Sequence, residues 1–221
     1  MLATFTNRHG GVSKGLYASL NLGDHVGDLT ADVLQNRRTL EISHGPTQFM
    51  NQVHGNRIAI IEAVSDEPPT ADALVTGIPG ITLAVMIADC IPLLLTAKES
   101  VAAVHVGRRG LVNGVAIKTL ALMREMGASN IAATLGPAIC GICYEVSNEI
   151  HDEVVANFPV ASSRTIAGTP SLDLPKALIE ELKSAGVTEI SHQGVCTVED
   201  TNYFSYRRDG VTGRQVGLVR L

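Results

Sequence analysis

The sequence predicts an α+β fold in which mixed β-sheets pack with helices, within a single domain spanning residues 1–221. Three observations lead there. Short segments rich in Val, Ile and Ala recur at strand length along the chain. Several of them precede each helical segment, which breaks the strict alternation of a doubly wound sheet or a (β/α) barrel. No Ser/Gly linker, low-complexity run or fixed-period repeat divides the chain. Its 221 residues, 45% apolar and 18% charged, are enough to bury a core without disulfide support, and they fit neither a disordered nor a collagen-like chain.

In chain order, Val33, Leu34, Arg37 and Leu40 fit a short helix. Thr47–Met50 and Arg57–Val64 read as strands. The apolar run Ile81–Ala97 has the length of a membrane span, but Asp89 at its centre and the nearby Pro92 turn it into two buried strands, Ile81–Ile87 and Ile91–Thr96, joined at a polar turn. Val101–Val106 and Asn130–Leu135 are further strands, separated by a helix over Leu111–Met126 that stops before Gly127. Ser147 is placed to cap a helix carrying Ile150, Val154 and Val155, and Asp173 with Pro175 opens a last helix ending at Gly186. The segment FSYRRDGVTGRQ reads as a strand, a DG turn and another strand.

The net charge of −5 and pI near 5.8 give no general electrostatic reason to bind nucleic acid or an anionic membrane, so any anion site must be local. The N-terminal MLATFTNRHGG lacks the basic head and apolar stretch of a secretory signal. Four unevenly spaced cysteines, Cys90, Cys140, Cys143 and Cys196, point to a reduced, cytoplasmic protein in which cysteine serves metal binding, catalysis or packing. The glycines of GVTGRQVG and VGRRG are wrongly spaced for a dinucleotide fingerprint. GGVSKG lacks the Lys-Ser/Thr of a phosphate loop, so no nucleotide triphosphatase is indicated.

Three polar residues stand where apolar strands end: His54 in NQVHGN, Cys90 in MIADCIP and His105 in VAAVHVG. Singly, each is an ordinary core residue. Together, two imidazoles and a thiolate form a three-ligand set that suits zinc with the fourth position open, the arrangement of a catalytic site; copper is chemically acceptable too. The gaps of 36 and 15 residues match no local finger or ribbon, so the set requires separate loops to meet. A metal-free alternative makes Cys90 a nucleophile, His105 or His54 its base and Asp89 the orienter.

In HVGRRGLVNG, a strand turns through Gly107 and Gly110 into a helix, placing free amides with Arg108 and Arg109 where a phosphate could sit; the bland alternative is a solvated turn. TNRHGGVSKG adds Arg8, His9 and Lys14 on a second glycine-rich turn that could approach a ligand or form a plain hairpin. Cys140 and Cys143 form a lone C-x-x-C, for which packing is a better reading than structural zinc. Arg207 and Arg208 read as surface charges.

Taken together, TNRHGGVSKGLYASLNLGDHVGD, NRRTL, NQVHG, ADALVT, ADCIPLLL, VAAVHVGRRG, LGPAI with CYEV, and FSYRRDGVTGRQ resemble, in this order and over nearly the whole chain, the YfiH-type family, described first as multicopper polyphenol oxidases (laccase-like) and later as purine nucleoside phosphorylases. The resemblance implies that His54, Cys90 and His105 bind a catalytic zinc. It also implies phosphate-dependent cleavage of adenosine, inosine and methylthioadenosine to free base and ribose 1-phosphate, with adenosine deaminase side activity; Arg8 and Arg109, on the two glycine-rich turns, are the residues expected near substrate or phosphate. The implied partners are purine nucleosides and phosphate, with no nucleic acid or membrane, in a monomer or homodimer. Two departures stand out. Arg108 replaces the tryptophan of the family's HxGWRG block, and Cys140 and Ile142 depart from GPCCYEV, which weakens a metal role in that segment. The competing readings are a copper-dependent polyphenol oxidase, disfavoured by the seven histidines, a Cys-dependent hydrolase, and a non-catalytic, metal-stabilised protein that binds purine or phosphate.

Overall fold

Two β-sheets face each other, and helices close both outer sides. The structure, a computed structural model, describes residues 1–221. Strand β1 (Leu2–Phe5) leads through a long loop to helix α1 (Thr30–His44), followed by β2 (Thr47–Gln48), β3 (Ile58–Ile60), β4 (Ala73–Thr76), β5 (Thr82–Ile87), β6 (Ile91–Thr96) and β7 (Val101–Val106). Helices α2 (Arg108–Val112) and α3 (Val115–Glu125) come next. They are followed by β8 (Ala132–Leu135), α4 (Asn148–Asn157), β9 (Ser162–Arg164), β10 (Pro170–Leu172), α5 (Leu174–Ser184), β11 (Glu189–His192), α6 (Tyr206–Asp209) and β12 (Gln215–Arg220).

One sheet has the order β1-β12-β5-β2 and the other β11-β8-β6-β7-β4-β3, with β9 and β10 forming a separate hairpin. Both large sheets are mixed: β2 with β5, β3 with β4, and β8 with β11 are parallel pairs, and the rest are antiparallel. This is the expected α+β class.

Alternation along β6 shows how the layers are built. Leu93 and Leu95 point to a core shared with Leu120 of α3, Val154 of α4 and Leu178 of α5. Leu94, between them, points the other way, into a core shared with Leu83, Val85 and Ile87 of the facing sheet. The outer side of that facing sheet, through Ala84, Met86, Val216 and Leu218, packs on Leu40 of α1. Both faces of β5, β6 and β7 are therefore buried, which explains their near-continuous apolar sequences.

Two predicted strands have the expected bounds, β6 and β7, and both predicted caps are present: Ser147 accepts from the Ile150 N–H at 3.4 Å and Asp173 from the Lys176 N–H at 2.9 Å. Other expectations need correction. The helix predicted over Leu111–Met126 starts earlier and is split into α2 and α3 by Gly114, which sits in the left-handed region at φ 70°. The strand predicted over Arg57–Val64 shrinks to β3 because it lies at the sheet edge, where Ile60 and Val64 face solvent. FSYRRD forms no strand. Ser205 caps the short helix α6 by accepting from the Arg208 N–H, and the Arg208 guanidinium donates to the carbonyls of Thr197 and Tyr203. Strands β1, β4 and β9–β11 were not foreseen. No helix is long and apolar enough to cross a membrane.

Leu94 is fully buried between the sheets. Leu94→Ala is expected to lower the unfolding free energy by about 2–5 kcal/mol, measured by urea denaturation; a loss below about 1 kcal/mol would contradict the inter-sheet packing described.

Candidate metal centre and substrate cleft

Topology brings the three predicted ligand residues to one end of the sandwich. Strands β5 and β6 belong to different sheets, so the turn Ala88-Asp89-Cys90 crosses between layers there. Strand β7 runs antiparallel to β6 with Pro92 opposite His105, which sets His105 beside that crossing. Ala73 of β4 pairs with Val104, so Asp72, the preceding residue, lies next to His105, whose N–H donates to the Asp72 carbonyl at 2.8 Å. His54 enters from the loop before β3.

Asp72 is completely buried and ties these pieces together. Its carboxylate accepts from the backbone N–H groups of Val53, His54 and Gly55 at 3.3, 2.9 and 2.7 Å, and from His105 Nδ1 at 2.8 Å. The bond to a carboxylate fixes Nδ1 of His105 as the protonated nitrogen and leaves Nε2 as the metal-accepting one. The three amide bonds hold His54 at φ 58°, a left-handed conformation that costs a non-glycine residue about 1–3 kcal/mol. One ligand atom from each of His54, Cys90 and His105 lies within 4.8 Å of the others; Cys90 Sγ is 3.9 Å from His54 Nε2, and the two imidazoles meet edge to face at 4.7 Å between centroids.

Gly107 borders the cluster. A Cβ there would lie 2.9 Å from Cys90 Sγ and 3.3 Å from His54 Cδ2, so any larger residue would press on two donors.

Electrostatics follow from this packing. Burial raises the Cys90 thiol, but the charge on and hydrogen bond from His105, joined by His54, outweigh burial and bring it down to about 6. Burial lowers His105, but the Cys90 charge and the Asp72 carboxylate more than offset it, raising it to about 9. Burial likewise raises Asp72, and the bonds from His105 and the Gly55 amide turn the balance, holding its carboxyl below the usual range. Cys90 and His105 thus each favour the charged form of the other against burial, and a divalent cation would supply the same positive charge beside the thiolate.

Asp89 does not orient the cluster. It sits at φ 106°, its carboxylate accepts from Thr197 Oγ1 and the Arg207 N–H, both at 2.7 Å, and its carbonyl accepts from the Ile139 N–H at 2.9 Å. The orienter is Asp72. In ADALVT the sequence gives Asp72 no evident role; an Asp directly ahead of the short, mostly apolar strand ALVT is the available signal.

The three donors lie between two hollows. The larger, about 390 Å³, exposes Met86, Ile139, Tyr144 and Tyr206 as an apolar and aromatic lining, with Arg207 and Arg214 at its polar side. The smaller, about 280 Å³, is lined by Arg108, Arg109 and Tyr144 with His54 and Cys90. The HVGRRG turn therefore borders the donor cluster. Arg108 Nη1 is 3.8 Å from Glu153 Oε2, whereas Arg109 is exposed. Tyr144 and Tyr206 supply the aromatic surface of the larger hollow, and Tyr144 also lines the smaller one. Arg8 lines neither hollow; its guanidinium stacks on the Phe204 ring at 4.7 Å and its Nε donates to the Ala18 carbonyl at 2.8 Å. Arg207 and Arg214, the former read as a surface charge and the latter unmentioned, line the cleft instead.

A second group of donors occurs elsewhere: Cys140, Cys143, Cys196 and Glu199 each place a ligand atom within 4.8 Å of the others.

Known proteins resemble this chain in sequence and in fold. The family model described as multi-copper polyphenol oxidoreductase laccase matches residues 2–221. Proteins named purine nucleoside phosphorylase from Corynebacterium glutamicum and Streptomyces coelicolor are 45% and 44% identical, each over 98% of this chain and over 93% and 94% of their own lengths. Among solved structures, a Neisseria meningitidis protein superposes with TM-score 0.90 at 38% identity, covering 98% of this chain and 92% of its own. The YfiH protein of Bacillus licheniformis superposes at 0.89 with 28% identity, covering 99% and 92%. The chain belongs to the multi-copper polyphenol oxidoreductase laccase family, within which its close relatives carry the name purine nucleoside phosphorylase.

Proposed function

We propose that this chain is a zinc-dependent purine nucleoside phosphorylase that cleaves adenosine, inosine and methylthioadenosine with phosphate. The observation that carries the reading is the placement of three metal donors between an apolar, aromatic-lined cleft and a smaller basic hollow. The donor chemistry fits zinc: two imidazoles and one thiolate of depressed pKa, with Asp72 behind one imidazole. When bound, zinc supplies Lewis acidity, which polarises a phosphate or ribose oxygen and makes water more acidic.

The chain's own residues do the rest. In the proposed arrangement the purine lies against Tyr206, Met86 and Ile139 in the larger cleft, with its ribose C1′ directed to the junction of the two hollows. Arg109, with Arg108 beside it, holds phosphate in the smaller hollow, and Arg207 and Arg214 add positive charge from the cleft side. A phosphate oxygen then forms a bond to C1′ while the bond from C1′ to the purine nitrogen breaks. The bonding pair leaves with the base, which takes up a proton, and ribose 1-phosphate remains. Two other reactions would ask different things of the same side chains: adenosine deamination, proposed as a side activity, would need water instead of phosphate beside the donor cluster and attack at C6 of adenine. A copper polyphenol oxidase would need several copper centres rich in histidine, and only His54 and His105 enter a donor group here. The free state of all four cysteines suits a reducing, cytoplasmic setting.

Purified protein given inosine or adenosine is expected to release hypoxanthine or adenine only with phosphate present, as followed by chromatography. Chelation should stop release and added zinc should restore it. Base release that needs no phosphate, or that survives complete removal of metal, would overturn the reading. Conversion of adenosine to inosine in the same chromatograms reports the deaminase reaction.

Hydrogen bonds to charged groups contribute about 1.5–3 kcal/mol, so Arg109→Ala is expected to raise the KM for phosphate about tenfold or more. The KM for nucleoside should move far less, and Arg8→Ala should leave the phosphate KM near its original value. Equal effects of Arg109→Ala on both substrates would contradict the placement of phosphate in the smaller hollow.

A further inference from the structure

We propose that Cys140, Cys143, Cys196 and Glu199 bind a second divalent metal ion, of zinc type, whose role is structural: it fastens the loop that carries Ile139 and Tyr144 of the cleft lining to the loop after β11, which bonds to the Asp89 turn. The proposal does not depend on which reaction the protein catalyses.

Four donors converge from two places in the chain. Cys140 and Cys143 come from the tight turn after β8, where the N–H groups of Cys143 and Tyr144 both donate to the Cys140 carbonyl, at 3.1 and 3.0 Å. Cys196 and Glu199 come from the turn after β11, where the Asp200 N–H donates to the Cys196 carbonyl at 2.9 Å. The two turns already lie side by side: Ala138 pairs with Cys196 in a parallel bridge, the Ala138 N–H donates to the Val195 carbonyl and the Thr197 N–H to the Ala138 carbonyl, both at 3.1 Å. The backbone thus fixes the spacing at which three sulfurs and a carboxylate oxygen come within 4.8 Å of one another.

The chemistry of this set is specific. Three thiolates and one carboxylate supply four donors, the number a closed tetrahedral zinc site uses, and thiolate is the ligand that structural zinc sites favour. A pair of cysteines could be explained by packing, and a packed cluster of thiols would gain nothing from a charged carboxylate on its open side. Glu199 is exposed and supplies that fourth corner, while Cys196 is buried beneath it. The cysteines are free thiols, so no disulfide competes for them. No histidine joins the group, which separates it chemically from the cluster at Cys90.

The position explains what such an ion would do. Ile139 and Tyr144, both part of the cleft lining, flank Cys140 and Cys143 on either side, and next to Cys196 is Thr197, which donates to the Asp89 carboxylate in the turn that carries Cys90. Loops of this kind have no secondary structure of their own to hold them. A metal tie across them limits their motion and so keeps the cleft wall and the Cys90 turn in register.

The test is a metal count on the purified full-length protein, prepared under reducing conditions and supplied with zinc. Elemental analysis is expected to find two zinc ions per chain. Cys143→Ser should lose one and keep one; His54→Ala should lose the other. In cobalt-loaded protein, the strong thiolate-to-cobalt charge-transfer band should drop steeply in Cys143→Ser and largely persist in His54→Ala, because three of the four thiolates belong to the second site. Should Cys143→Ser fail to fold, Glu199→Gln on the surface serves instead, and is expected to speed removal by a chelator of one ion of the two. A single zinc per chain that is lost in His54→Ala would overturn the proposal. So would an unchanged count in Cys143→Ser together with an unchanged release rate in Glu199→Gln, or a disulfide joining two of these cysteines in the native protein.

Discussion

The carboxylate of Asp72 is the interaction on which the site depends. It is wholly buried, and it accepts from three consecutive amides of the His54 turn and from the His105 ring. A buried carboxylate left without donors would be costly, so the turn, the strand β7 and the start of β4 are obliged to meet around it. Two consequences follow from the same four bonds. His54 is held in a backbone conformation it would not adopt freely, and His105 is held in the tautomer whose remaining nitrogen faces Cys90. The three donors would therefore need little rearrangement to bind a cation, which is what preorganisation of a metal site requires.

A second set of contacts carries this order outward. Cys90 lies on the turn where the chain crosses from one sheet to the other, and the neighbouring Asp89 bonds to Thr197, Arg207 and Ile139. Ile139 and Arg207, the latter in α6, line the cleft, and Thr197 stands next to Cys196. The Cys140–Cys143–Cys196–Glu199 group lies directly behind them, so the two donor clusters are joined by one short run of hydrogen bonds. The sandwich end is thus a rigid base, built by strands that are buried on both faces. The cleft wall is made of loops and relies on polar contacts for its shape.

Much of the fold was legible because burial leaves a strong mark on sequence. Strands β6 and β7 lie between two packed layers and read as unbroken apolar runs with clear ends; the edge strand β3 was legible as a strand but not in its bounds, and the largely exposed β11 left no such mark. The helix α6 was read as a strand because its stability comes from a Ser205 cap and from Arg208 bonding to distant carbonyls, neither of which is a periodic signal. At the site, His54, Cys90 and His105 were visible as polar residues at the ends of apolar strands, but their spacing alone could not say that they meet. Asp72 was missed because an acidic residue before a strand looks like any turn residue until its partners are known. The second cluster was missed for a related reason: Cys140 and Cys143 are neighbours in sequence, while Cys196 and Glu199 reach them only through the parallel approach of two loops. Long-range pairing decides which side chains share a site, and local patterns do not encode it.

The account stands on His54, Cys90 and His105 closing around one divalent cation with Asp72 behind them. Crystals of the zinc-loaded protein, measured on both sides of the zinc absorption edge, test this most directly. The expected anomalous peak lies within bonding distance, about 2.0–2.3 Å, of one nitrogen from each histidine and of Cys90 Sγ, with no fourth protein side chain bound. An empty position there in zinc-loaded crystals, or a peak whose fourth ligand is another side chain of the protein, would contradict it.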